Sequence, residues 1–158
     1  MAQINITDSE KDKIKLMIFL EGTVFYTKPI LHLFSTKGYI SIGKSVQKLQ
    51  QWSNQGAKII CCTYVRKRRV KFILDVLKEN NIPADILCYR EKGQSYADVT
   101  KEICPDILIE DDCKSIGGVK QMCITYCSEK LKKNICSVVV KEFMGIDNLP
   151  DVLADFYK

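Results

Sequence analysis

Acids and hydroxyls stand where two short apolar runs of this chain break. In Lys15-Leu16-Met17-Ile18-Phe19-Leu20-Glu21-Gly22-Thr23-Val24-Phe25, an apolar run from Leu16 to Leu20 gives way to a carboxylate, a glycine and a hydroxyl. Asp106-Ile107-Leu108-Ile109-Glu110-Asp111-Asp112 is a second such break, ending in consecutive acids. Carboxylates gathered at strand ends suit a hard divalent cation or a cation-bridged phosphate ester. Taken singly, either break is as well read as a solvated loop. Two further polar positions follow the same logic: Thr63 closes the apolar run Ala57–Cys62, and Lys92 lies in a loop after the run Asp85–Tyr89. Beside Thr63 comes the basic cluster Arg66-Lys67-Arg68-Arg69, with Lys71 just beyond.

Elements must exist to hold these groups together. Apolar runs without alternation, such as 16–20, 57–62 and 106–110, predict strands buried on both faces. Between them the spacing changes to that of helices. Val46, Leu49 and Trp52 share one side of a helix over 44–54, stopped by Gly56. Val70, Ile73, Leu74 and Leu77 keep the i, i+3, i+4, i+7 spacing of a core-facing stripe. Tyr96, Val99, Thr100 and Ile103 form a shorter one, closed by Pro105. Residues 24–43, with Pro29, Gly38 and Gly43, read as a loop or small flap hairpin. Residues 114–120 form a turn, and Gln121–Tyr126 and Ile135–Val140 read as later strands. Leu149, Val152, Leu153 and Phe156 give a last amphipathic helix with Asn148 as N-cap and Pro150 in its first turn. Strands alternating with helices across short loops predict an α/β fold, a doubly wound parallel sheet of Rossmann-like, three-layer form. Ligands of such sheets sit beyond the carboxyl ends of the strands.

Composition sets the outer limits. The 158 residues suffice for one domain over 13–158, with 1–12 as a flexible N-terminal tail. No apolar run approaches the ~20 residues needed to cross a bilayer. The first 13 residues have no apolar secretory core, so a cytoplasmic protein without membrane attachment is expected. A net charge of +5 is too mild to argue for nucleic acid by itself, although such a partner stays compatible. Eight cysteines suggest disulfides or zinc, but Cys61, Cys104, Cys123 and Cys136 fall inside apolar segments, where a thiol packs as a small hydrophobe. There is no Cys-x-x-Cys pair, and His32 is the single histidine. Reduced thiols fit better.

The four motifs in their order resemble the haloacid dehalogenase (HAD) superfamily of phosphohydrolases, over roughly residues 14–126. That family ends one strand in Asp-x-Asp-Gly-Thr, a second in Thr or Ser, places a Lys before a helix, and ends a later strand in paired acids. Here the pieces read Phe19-Leu20-Glu21-Gly22-Thr23, then Thr63, then Lys92, then Asp111-Asp112. The resemblance implies phosphate binding by Gly22, Thr23, Thr63 and Lys92. It implies Mg²⁺ held by Asp111 and Asp112 together with the Glu21 carbonyl. It also implies an acid/base role for Glu21. No stretch is long enough for a full cap domain, which implies a large substrate or closure by a neighbouring subunit in a homo-oligomer. The flap aromatics Tyr26, His32, Phe34 and Tyr39 are candidates for that contact.

The departure from the family pattern decides the expectation. Aligned on Gly22-Thr23, Phe19 occupies the position of the nucleophilic aspartate, and a phenyl ring has no lone pair with which to attack phosphorus. The added methylene of Glu21 also displaces its carboxyl, and about 1 Å of misplacement costs on the order of 100-fold. The leading expectation is therefore a degenerate member that binds Mg²⁺ and a phosphorylated small molecule or macromolecule. One alternative is an active hydrolase using Glu21 or a metal-bound water. Another is an interaction module reading an acidic partner through Arg66, Arg68 and Arg69. A Cys-x5-Arg match at Cys62 and Arg68 lacks the glycines that a phosphate-wrapping loop needs.

Overall fold

A computed structural model describes residues 2–6 and 13–158. The strands are β1 (Ala2–Asn5), β2 (Lys15–Phe19), β3 (Phe25–Thr27), β4 (Tyr39–Ser41), β5 (Lys58–Cys62), β6 (Ile86–Tyr89), β7 (Ile107–Asp111) and β8 (Cys136–Val140). The α-helices are α1 (Ser45–Asn54), α2 (Val70–Glu79), α3 (Tyr96–Ile103) and α4 (Glu129–Lys132). Six strands form one sheet in the order β1-β6-β5-β2-β7-β8, parallel throughout except for β1 at its edge. This is the expected Rossmann-like α/β fold, and no large cap stands among the described residues.

β2 is central because its apolar run can bury both faces. Leu16 and Ile18 join the core of Leu49, Trp52, Ile73 and Val76 from α1 and α2. Met17, between them, points to the other face and packs with Val99 and Ile103 of α3. β5 divides in the same way, Ile59 and Cys61 to one face, Ile60 and Cys62 to the other. The period-two alternation of a strand thus builds two cores from one apolar run. α3 starts at a capping box, Ser95 and Asp98 satisfying each other's backbone amides, and ends at Cys104 in the left-handed region. β3 and β4 form the flap hairpin in register Phe25↔Ser41 and Thr27↔Tyr39.

Four expectations are corrected. Ala2–Asn5 is not loose tail but an edge strand antiparallel to β6, while residues 1 and 7–12 lie outside the described residues. Gln121–Tyr126 is not a strand but 3-10 turns, because the buried Glu110 carboxylate takes the amides of Cys123 (2.6 Å) and Ile124 (2.9 Å) that a ladder would use. The last helix is only a 3-10 segment, Leu153–Tyr157. Its intended first turn is held out of helix by α1: Lys48 Nζ donates to Leu149 O, Trp52 Nε1 to Pro150 O and Gln55 Nε2 to Asp151 O. Cys104 is exposed at the end of α3 instead of packed within a core. All eight thiols are free, and no helix is long and apolar enough to cross a membrane among the described residues.

Candidate functional site

The chain runs from β2 outward to β5 and β6, then returns across the sheet to β7 on the other flank of β2. A crevice opens where direction reverses, beyond the carboxyl ends of β2 and β7. It is a chamber of about 510 Å³, within the range of small-ligand sites. Phe19, Glu21 and Gly22 line it from the end of β2, and Glu110 and Asp111 from the end of β7. Tyr96 of α3 meets the Phe19 ring edge-on at 5.0 Å.

The turn after β2 is tight. Val24 N and Phe25 N both donate to Leu20 O, and Gly22 N to Phe25 O. Gly22 has φ +86°, and a Cβ there would lie 2.6 Å from Asp111 Oδ2. Only glycine lets the two strand ends approach so closely.

Glu21 is anchored by its neighbours. Thr63 Oγ1 donates to its Oε1 at 2.6 Å and Tyr64 N to its Oε2 at 3.2 Å. Burial nonetheless outweighs these bonds and pushes its carboxyl up to about 7. Asp111 accepts from Cys113 N at 2.8 Å and from Thr23 Oγ1 at 3.3 Å. Its carboxyl is also raised, by burial first and by the nearby Glu142 charge, against the pull of the Cys113 amide.

The expected residues do not all converge. Glu21, Gly22 and Asp111 line the chamber together. Thr23 and Thr63 are fully buried behind it, their hydroxyls committed to Asp111 and Glu21. Asp112 follows β7 and is not part of the chamber wall; its Oδ1 accepts from Glu142 N at 3.1 Å. Lys92 is exposed and lines a separate trough with Tyr64, Arg66, Lys67 and Arg90. Arg90 and Lys120 are the basic residues of the chamber. Arg69 is occupied, donating to His32 O at 2.7 Å and lying 4.8 Å over the Phe72 ring.

Glu142 is the residue that sequence reading missed. Asp111, Asp112 and Glu142 each bring a carboxylate oxygen within 4.8 Å of the others, the one such group of metal-capable side chains among the described residues. Glu21 lies outside it. Glu142 follows β8, the parallel neighbour of β7, so the rule that located Asp111 applies equally to Val140-Lys141-Glu142. Three hard oxygen donors fit magnesium, and Ser115 N and Oγ steady Glu142 at 2.7 and 2.6 Å. The chamber aromatics Tyr64, Tyr96, Tyr126 and Phe143 were also missed, because their separate elements carry no common sequence signature.

No protein-family model matches this sequence, and no curated protein matches it. Among solved structures, the fold is similar to a chain of the Pnkp1/Rnl/Hen1 RNA repair complex, with a TM-score of 0.60 and 16% identity. That match covers 86% of this chain and 45% of the other, so this chain spans less than half its length. It is also similar to D,D-heptose 1.7-bisphosphate phosphatase from B. bronchiseptica, complexed with magnesium and phosphate. There the TM-score is 0.51 at 12% identity, over 82% of this chain and 93% of that one. Identities this low speak to architecture alone: the chain shares the Rossmann-like α/β fold of these structures.

Proposed function

We propose that the protein binds a phosphate ester on a phosphohydrolase-type scaffold whose covalent chemistry has been lost or strongly reduced. The observation that carries this reading is the Phe19 ring, which forms part of the chamber wall against Tyr96, where the family alignment expects an attacking carboxylate. Glu21 is a poor replacement nucleophile. Its oxygens are engaged by Thr63 and the Tyr64 amide, and burial favours its protonated form over the attacking carboxylate. Asp111, Asp112 and Glu142 would hold magnesium, which when bound neutralises phosphate charge. Gly22 keeps the strand ends close enough for a ligand to touch both.

One observation favours a second reading, that of an active hydrolase. A carboxyl titrating near 7 is suited to general acid–base work. Steady-state hydrolysis of para-nitrophenyl phosphate with magnesium separates the two. Turnover indistinguishable from buffer, unchanged in Glu21→Gln, supports the non-catalytic reading. Magnesium-dependent turnover that disappears in Glu21→Gln and Asp111→Asn establishes the hydrolase. An interaction module built on Arg66, Arg68 and Arg69 is weakened by the structural engagement of Arg69, while Arg66 and Arg68 remain exposed.

A further inference from the structure

The trough beside the chamber has no part in the reading above. It is about 650 Å³ in volume, and its cations come from two loops, Arg66 and Lys67 after β5 and Arg90 and Lys92 after β6. Glu91 is its one acid. Arg66, Lys67 and Lys92 are exposed and form no salt bridge among the described residues. The trough is not isolated: Tyr64 and Arg90 line both it and the chamber. At that shared wall the Arg90 guanidinium lies 4.2 Å over the Tyr96 ring, and the Tyr64 side chain is 47% exposed with no ring contact among the described residues. Beyond the wall stand Phe19, Tyr126 and Phe143.

We propose that the trough and chamber together bind a single strand of nucleic acid, its phosphates along Arg66, Lys67, Arg90 and Lys92, its terminal base stacked on Tyr64 at the chamber mouth. This names the substrate class of the site and rests on the chamber being a phosphate-ester site. Cations on two facing loops follow a repeating polyanion, where one phosphate needs only one or two of them. Aromatic faces at the end of a basic track are what unpaired bases stack on. A phosphopeptide would use the cations but has no need of the exposed Tyr64. A duplex would present no free base to the chamber.

Fluorescence anisotropy with a short, internally labelled oligothymidylate strand tests this. The wild-type chain is expected to bind the strand more tightly than its duplex, a phosphoserine peptide of equal charge, or inorganic polyphosphate. Tyr64→Ala should weaken binding about tenfold, while Tyr64→Phe, which keeps the ring, should not. Arg66→Ala should lower the slope of log affinity against log salt by about 0.7. Because Tyr64 and Arg66 are exposed, these variants leave the core untouched. Equal binding of duplex, peptide or polyphosphate, indifference to Tyr64→Ala, or no binding at all overturns the proposal. Thermal stabilisation by magnesium with inorganic phosphate is measured in parallel. If it occurs without strand binding, the phosphate site stands and the nucleic-acid assignment fails. Strand binding with the Tyr64 and salt signatures but without that stabilisation overturns the phosphate-ester reading and, with it, the assignment of the strand as that site's substrate.

Discussion

The two strand ends beneath the chamber carry different chemistry. β2 ends in a phenyl ring, with its nearest carboxylate two residues farther on and bound to Thr63. β7 runs into three consecutive acids, each with a different task. Glu110 is buried and holds the 3-10 turns at 123 and 124, Asp111 faces the chamber, and Asp112 faces Glu142. A strand end without a carboxylate thus stands beside one that carries three. At the end of β7 each acid accepts a backbone amide hydrogen bond, work that does not depend on attack at phosphorus.

Substitutions at the two ends should therefore differ in kind. The largest effect is expected for Glu110→Ala, which strands one buried and one partly buried amide and should cost about 3 kcal/mol in chemical denaturation. A loss below about 1 kcal/mol would mean that the turns at 123 and 124 hold themselves. Gly22→Ala comes next, at about 2 kcal/mol, since its φ of +86° is disfavoured and its Cβ meets the Asp111 carboxylate. Combining it with Asp111→Ala should recover the part due to contact and leave the backbone part.

Glu21 gives a smaller, pH-dependent effect. Its folded carboxyl titrates at about 7 against an ordinary value of 4.5, so folding takes up protons between those limits. Stability from this group is present at the acid end of the window and declines as pH rises through it. The Tm of Glu21→Gln should fall less than that of the wild type across this interval. Parallel Tm curves would show that Glu21 titrates alike folded and unfolded. The smallest effect is expected for Asp112→Asn in metal-free buffer, within about 0.5 kcal/mol for a partly exposed side chain. Magnesium sharpens the contrast: it should raise the wild-type Tm but have little effect on Asp111→Asn.

Local sequence carried much of this. The apolar runs located β2, β5, β6, β7 and β8, and the stripe of Val70, Ile73 and Leu77 located α2, because burial on both faces or on one stripe leaves a periodic trace. The flap hairpin was legible from its turn residues. Gln121–Tyr126 misled because a short apolar run has no period of its own, and the amides were claimed by a distant Glu110. The terminal helix failed for the same reason, with α1 side chains capturing the carbonyls of 149–151. Among the candidate residues, Glu21, Gly22 and Asp111, which follow strand ends, line the chamber, whereas Lys92, farther along its loop, lines the neighbouring trough.

By itself the sequence determined the parallel sheet, the apolar ring at position 19 and the acids that follow β7. These depend on residue type and on spacing within one element. Tertiary structure alone decided that Glu142 joins Asp111 and Asp112, that Thr63 is spent on Glu21, and that Tyr64 and Arg90 link two cavities. Each of these unites groups from different elements, and where loops from separate strands meet is set by sheet order and close packing, which no local pattern encodes.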